Sequence, residues 1–449
     1  MPTTETAAPP ALDIHWVRSQ FPSLAQTVNG HPAAFLDGPG GTQVPQHVIN
    51  AISDYLRRDN ANTCGAYATS RNTDAMIAAA RAAMADFLNC SADEVVFGPN
   101  MTTLTYAISR AIGRDLGPGD EIVLTRLDHD ANVSPWTALE ERGVTIRWVN
   151  FRKQDCTLDM DDLAEQINSK TRLVAVGYAS NAVGTINPVK DIVRLARNAG
   201  ALSYIDAVHY GPHGLIDVAD LGCDFLACST YKFFGPHMGV LFGKREHLDR
   251  LRPYKVRPLM DTSPNRWEMG TLNHECIAGI TACVDYIASI GHSANPELDS
   301  QRVPQPTRVS LGGTTTTDGA ITPRRAAIVA AHAAIHEHER AITERMIGGL
   351  GEIRGLKLYG ITDPARFDER CATFAVRVAS GKPGHTPLEL ATKLGDRGFF
   401  TWDGNYYALN VTEALDVEKS GGFLRIGFVH YNTMDEAERL LAALREITA

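Results

Sequence analysis

The chain has no apolar run approaching the roughly 20 residues that span a bilayer. Its opening, MPTTETAAPPALD, lacks the charged and hydrophobic regions of a secretory signal peptide. A cytoplasmic protein with no membrane partner is therefore expected. No block of basic residues could track a phosphate backbone, and 43 Lys+Arg against 52 Asp+Glu give a formal charge of −9, which argues against nucleic-acid binding. The eight cysteines (Cys64, Cys90, Cys156, Cys223, Cys228, Cys276, Cys283 and Cys371) show no CxxC spacing, so neither a zinc site nor a disulfide framework is signalled. Cys276 and Cys283 fit one face of a helix, where free cysteines act as small apolar residues. Internal repeats are absent too. What is present is 449 residues, 44% hydrophobic, enough for a substantial core and for two domains or one large and one small.

Along the chain, residues 1–30 read as a polar arm with a short helical stretch around IHWVRSQFPSL, leading into AFLDGPGGTQVP. A large domain is expected over 31–292, because short apolar runs alternate with helix-like segments there. The amphipathic DAMIAAARAAMADFL precedes EVVFG; EIVLT, the helix-like PWTALEERG and VTIRWVNF follow. RLVAVGYAS, VKDIVRLARNAG, ALSYID, FLACS and GVLFGK continue the alternation, which predicts an α/β fold with a mainly parallel sheet covered on both faces. Residues 293–323, rich in Pro, Gly, Ser and Thr, read as an exposed loop and domain boundary. A smaller α+β domain is expected over 324–449, with strands ATFAVRV and FLRIGFV and a final helix DEAERLLAALREI.

The most informative stretch is FLACSTYKFFGPHMGVLFGK. A strand ends at Ser229, Lys232 follows three residues later, and Gly235, Pro236 and Gly239 turn the chain into another strand. Most lysines are solvated surface residues. This one sits in an apolar, Gly-flanked connection, where desolvation lowers an amine's pKa and makes it a Schiff-base nucleophile. Upstream, Asp206 ends the strand ALSYID, where a carboxylate can pair with a protonated pyridine nitrogen and keep that ring an electron sink. An Asp closing a strand is common; an Asp and a Lys at the ends of adjacent strands are more specific. The run EVVFGPNMTTLTYAISRAIG places Met101 and Thr102 at a helix start, a setting that suits a phosphate as well as an ordinary N-cap. His129, beyond the strand EIVLT, suits a ring that stacks on a cofactor and moves protons, although a lone histidine is more often structural.

With these residues in view, the chain resembles the class V aminotransferases, particularly their cysteine desulfurase and selenocysteine lyase branch, from about Asp37 to the C-terminus. The resemblance implies the type I fold of pyridoxal 5′-phosphate (PLP)-dependent transferases, with PLP held by Lys232 as a Schiff base, Asp206 on the pyridine nitrogen and His129 stacked on the ring. It further implies Asn181 and His209 near the phenolic oxygen, and phosphate contacts from Met101, Thr102, Ser229 and Tyr231. Arg425 in FLRIGFVHYNT resembles the arginine that grips a substrate α-carboxylate, a task suited to its planar fork. The segment WEMGTLNHE resembles one that reaches a neighbouring subunit's phosphate, which places His274 there and implies a homodimer.

The resemblance has one clear break. Desulfurases carry a nucleophilic cysteine on a loop before the last strands; here that loop reads RGFFTWDGNYYALNV, and no cysteine follows Cys371. Tyr406 and Tyr407 occupy the neighbourhood of the missing thiol, and Cys371 is expected to be buried and inert. Tyr231 also stands where the family frequently has a histidine. STYKFFGPHMG and FVHYNT are similar to a fungal ustiloxin-pathway enzyme that removes the β-carboxylate of aspartate and adds the carbanion to an aldehyde. The leading expectation is therefore a PLP-dependent lyase or transferase working at the β-carbon of a small L-amino acid, with an aldehyde as a candidate co-substrate. Transamination or α-epimerisation is the second reading. A PLP-fold binding module without turnover is a third, disfavoured by the complete set Lys232, Asp206 and His129.

Overall fold

The structure, a computed structural model, describes residues 11–295, 298, 321–378 and 384–449. The arm expected at 1–30 and the loop expected at 293–323 lie partly outside the described residues. A seven-stranded sheet is built from β1 (Val95–Gly98), β2 (Glu121–Thr125), β3 (Thr145–Val149), β4 (Thr171–Gly177), β5 (Leu202–Asp206), β6 (Phe225–Ser229) and β7 (Gly239–Gly243). Its order is β1-β7-β6-β5-β4-β2-β3, parallel except for β7, which runs antiparallel to both neighbours. The mainly parallel sheet expected from the alternation is thus present.

Successive residues of a strand face opposite sides of the sheet. Val96, Leu124, Tyr204, Phe225 and Leu241 enter one core with Leu104 and Ile108 of α2 (Met101–Ile112). Phe97, Val123, Ile205, Leu226 and Val240 enter the other, with Met84 and Phe87 of α1 (Ala68–Leu88), Ile192 of α3 (Val189–Asn198) and Ile287 of α4 (His274–Ala294). Two-sided burial explains why these strands read as continuous apolar runs.

The second sheet contains β8 (Leu356–Tyr359), β9 (Thr373–Val378), β10 (Trp402–Gly404) and β11 (Phe423–Gly427), antiparallel in the order β8-β9-β11-β10. Helix α5 (Pro323–Gly351) joins the two cores. Its Ile328, Ala331 and Ile335 pack with the large sheet's helices, whereas Ile342, Met346 and Leu350 pack with Phe374, Val376, Leu424 and Ile426 and with Leu440 of α6 (Met434–Thr448). The start of α5 is fixed by Thr322, whose hydroxyl accepts the Arg325 N–H at 3.0 Å, and by Pro323 at the first helical position. The stretch PWTALEERG forms a single α-turn, Ser134–Thr137, and then a tighter 3₁₀ segment ending at Gly143, rather than one continuous helix. Gly143 stops it by taking a φ of 83°.

Candidate active site

Parallel sheets place ligand-binding loops at the carboxyl ends of their strands. Here those ends deliver Asn100–Thr102 after β1, Asp128 and His129 after β2, Ala179 and Asn181 after β4, Asp206–His209 at β5, and Ser229–Lys232 after β6. Together with Pro39 they line one pocket of about 590 Å³. The antiparallel β7 supplies a geometric detail that keeps the site compact. Gly239 pairs with Ser229 on one side and Gly98 on the other. A Cβ on Gly239 would lie 2.3 Å from the Asn100 carbonyl carbon, so the start of α2 can close on β7 only over a glycine.

That helix start is ready for an anion. Asn100 caps it by accepting the Thr103 N–H at 2.8 Å, and the Met101 N–H donates to the Ser229 hydroxyl at 3.2 Å. Amide N–H groups at a helix N-terminus with a hydroxyl beside them suit a phosphate. Tyr231 stacks on His237, with ring centroids 4.8 Å apart.

Lys232 Nζ donates to the Pro39 carbonyl oxygen at 2.5 Å, and among the described residues no carboxylate forms a direct ion pair with it. Burial and then repulsion from Arg425 bring its pKa down to about 7, against weaker attraction from Asp206 and Asp37. Asp206 moves the other way. Burial lifts it to about 6, opposed by the Val208 N–H, which donates to Oδ1 at 2.9 Å, and by the charge of Lys232. A carboxylate and an amine whose pKa values converge near neutrality mark a site that handles protons.

His129 is held by the Ala131 N–H, which donates to Nδ1 at 3.0 Å, so the neutral ring carries its proton on Nε2. The ring stacks on Tyr407 at 5.5 Å, and the Asp130 N–H donates to the Tyr407 carbonyl at 2.7 Å. Burial, with Lys232 and Arg425 nearby, lowers His129 to about 4, so the ring is neutral at physiological pH.

Arg425 of β11 is buried, and its guanidinium lies 4.1 Å over the Tyr406 ring while one terminal nitrogen donates to the Asn181 carbonyl at 3.0 Å. Its Nε and the Asn181 Oδ1 are buried without protein partners. Asn181 lines the pocket, and an orphan of this kind there is what a bound ligand would satisfy. The Asn181 amide donates to the Tyr406 carbonyl at 2.9 Å, and the Tyr406 hydroxyl donates to the Phe423 carbonyl. Tyr406 and Tyr407 both take positive φ, 56° and 60°, a conformation that costs a bulky side chain energy and is held by these contacts. No cysteine lines the pocket, and Cys371 is buried with its thiol pushed well up.

Nine sequence-predicted residues therefore converge on the pocket: Met101, Thr102, His129, Asn181, Asp206, His209, Ser229, Tyr231 and Lys232. Arg425 reaches the group through Asn181 and Tyr406. His274 does not line this pocket; it opens α4, buried, with Nδ1 3.2 Å from the Ala61 carbonyl of its own chain. Sequence reasoning missed Pro39, Asp37 and Asp128. The glycine-rich AFLDGPGG could have flagged the first two. Asp128 accepts the Gly177 N–H at 2.6 Å, and burial raises its pKa well above the usual carboxylate range.

The chain matches the family model described as Aminotransferase class-V over residues 34–305 and 297–440. It is 30% identical over 456 residues to a probable cysteine desulfurase of Halalkalibacterium halodurans, covering 97% of this chain and 98% of that protein. A cysteine desulfurase of Pectobacterium atrosepticum is 30% identical over 451 residues with the same coverage. Among solved structures, the apo cysteine desulfurase from Thermococcus onnurineus superposes with a TM-score of 0.78 at 24% identity, covering 95% of this chain and 98% of that one. A cysteine desulfurase from Escherichia coli gives 0.77 at 21% identity, covering 97% and 98%.

Proposed function

Because the chain belongs to the class V aminotransferase family of PLP-dependent enzymes, we propose that it acts at the β-carbon of a small L-amino acid by a route that needs no thiol. The observation that carries this reading is the Tyr406–Tyr407 turn. It lies in the stretch that resembles the desulfurase loop, with the Tyr406 carbonyl held by Asn181, the Tyr406 hydroxyl by the Phe423 carbonyl and the Tyr407 ring stacked on His129. A cysteine desulfurase must attack the substrate's sulfur with a thiolate. Leaving groups that depart unaided, such as sulfinate or the β-carboxylate of aspartate as carbon dioxide, need none.

The pocket's donors fit PLP. The Met101 and Thr102 N–H groups, the Ser229 hydroxyl and Tyr231 would hold its phosphate, and Asp206 would pair with its pyridine nitrogen. Asn181 and His209 would meet its phenolic oxygen, and Lys232 would bind it covalently. When bound, the cofactor supplies an electron sink for charge developing on the substrate. The protein's own groups do the rest. Asp206 keeps a proton on the ring nitrogen, and Arg425, short of a partner at Nε, binds the α-carboxylate. Lys232, near pKa 7, both accepts and returns a proton at that pH. Neutral His129 lines the pocket, its ring stacked on Tyr407.

In aspartate decarboxylation the bond from Cβ to the carboxylate breaks and carbon dioxide leaves. Lys232 takes the α-proton beforehand, so the electron pair left at Cβ can be drawn off through Cα; a proton or an aldehyde carbon then bonds at Cβ, and Lys232 returns the proton to Cα to complete alanine or its β-substituted counterpart. The resemblance to the ustiloxin-pathway enzyme favours aspartate. A homodimer with His274 near the neighbouring pocket remains part of the proposal, and light scattering tests it. The reading is tested by incubating the holoenzyme with L-aspartate or L-cysteine sulfinate in D₂O. Alanine carrying deuterium at Cβ is expected, and release of an α-keto acid with cofactor amination would instead favour transamination.

A further inference from the structure

A second cavity, of about 930 Å³, opens between the loop after β5, the middle of α5 and the segment entering β9. His213, His332, Glu339, Arg370 and Cys371 are among its lining residues, and the proposed chemistry uses none of them. Several of their polar atoms are buried and unpartnered: His213 Nε2, Glu339 Oε1 and both ring nitrogens of His332. Buried polar atoms left open in this way call for water or an ion.

We propose that His209, His213 and Cys371 form a binding site for a divalent transition-metal ion of the zinc type. A ring nitrogen of each histidine and the Cys371 sulfur lie within 4.8 Å of one another, and all three side chains are buried. In a tetrahedral zinc site, bonds of about 2.0–2.3 Å place ligand atoms about 3.3–3.6 Å apart, so the ion draws the three inward by about an ångström. The decisive feature lies one shell out. Glu339 Oε2 sits 2.7 Å from His213 Nδ1, which puts the neutral ring's proton on Nδ1 and leaves the Nε2 lone pair free. A carboxylate behind a histidine, fixing its tautomer and turning its other nitrogen outward, is the usual support of a metal-bound imidazole. His209 also lines the cofactor pocket; with Thr373 Oγ1 3.2 Å from its Nε2, an ion on its other nitrogen would replace the phenolic-oxygen contact proposed for it and leave that contact to Asn181.

The donor set selects the ion. Two imidazoles and a thiolate favour zinc, cobalt or copper over magnesium or calcium, which take oxygen ligands. Charge allows it too, because a Cys371 thiolate and the Glu339 carboxylate are two negative charges set against the single charge of Arg370. The nearby Arg370 already spends its guanidinium on the carbonyls of Ile361, Cys371 and Thr373. Metal binding would release the thiol proton to solvent. His209 and His213 stand in HxxxH spacing within HYGPH, but the third ligand, Cys371, comes from a distant segment that no spacing links to them.

The inference does not depend on which reaction the enzyme catalyses. It is tested on the purified holoenzyme after dialysis against a chelator, by titration with Co²⁺ followed at wavelengths beyond the cofactor's own absorption, and by equilibrium dialysis with Zn²⁺. One equivalent of metal per chain and intense tetrahedral cobalt bands with thiolate-to-metal character are expected. Cys371→Ser and Cys371→Ala should each abolish the thiolate feature, and Glu339→Gln should weaken binding about 10- to 100-fold, with cofactor occupancy and thermal melting reporting that the variants are folded. The wild-type titration decides without the variants: no cobalt band, or only an octahedral spectrum of surface sites, overturns the proposal. So does a folded Cys371→Ala protein with unchanged stoichiometry and spectrum.

Discussion

Lys232 offers the sharpest quantitative expectation. An ordinary lysine titrates at 10.5; here burial and the Arg425 charge bring the amine to about 7. Only the neutral amine attacks an aldehyde. At pH 8 an unperturbed lysine is neutral to about 0.3%, whereas one near 7 is neutral to about 90%, a difference of about 300-fold in available nucleophile. The sign follows directly. Losing a proton creates the nucleophile, so attachment is fast above the depressed pKa and falls tenfold per pH unit below it. The assay mixes stripped protein with PLP between pH 5.5 and 9.5 and follows the visible band that forms. The rate should rise to a plateau with a midpoint near 7. Arg425→Met removes the second cause of the depression, so the midpoint should move upward. A rate still climbing tenfold per pH unit at pH 9, or a borohydride label on a lysine other than Lys232, would refute the assignment.

Asp206→Asn should leave cofactor occupancy largely intact while lowering turnover on the order of 10²-fold, because the phosphate contacts remain but the ring nitrogen loses its anionic partner; unchanged turnover would remove Asp206 from that role. Arg425→Ala should raise KM for amino acids with a free α-carboxylate, at a loss of about 2–5 kcal/mol, or about 30- to 5,000-fold in kcat/KM; kinetics equal to wild type would leave Arg425 a structural part. Gly239→Ala forces a Cβ against the Asn100 backbone, so apoprotein titrations should show weaker PLP binding through the phosphate cradle. An unchanged Kd would mean that the start of α2 is not where the phosphate sits.

The sheet and most of the pocket were legible from the sequence because their signals are local. A strand buried on both faces must be apolar throughout, so VVFG, EIVLT, LSYID and FLACS announced themselves, and the first polar residues after each run became the pocket. What escaped notice was non-local. The Pro39 carbonyl meets Lys232 only because the 37–41 turn is brought against the loop after β6, where the Thr42 N–H donates to the Tyr231 carbonyl at 3.0 Å. Asp128 read as a neighbour of His129, yet it ties β2 to β4 through Gly177. Arg425 could be placed only by resemblance, since an arginine within an apolar strand gives no sign of what it faces. PWTALEERG had helical composition but yielded to a turn ended by glycine.

The central claim is that the carbon–heteroatom or carbon–carbon bond at Cβ breaks without a protein thiol. Intact-protein mass spectrometry under non-reducing conditions tests it most directly, after incubation of the holoenzyme with excess L-cysteine and, in parallel, with L-aspartate. The account predicts no added sulfur on any of the eight cysteines, together with carbon dioxide or β-deuterated alanine from aspartate or cysteine sulfinate. A persulfide formed in step with alanine production from L-cysteine, and lost in a single Cys→Ser variant, would contradict it.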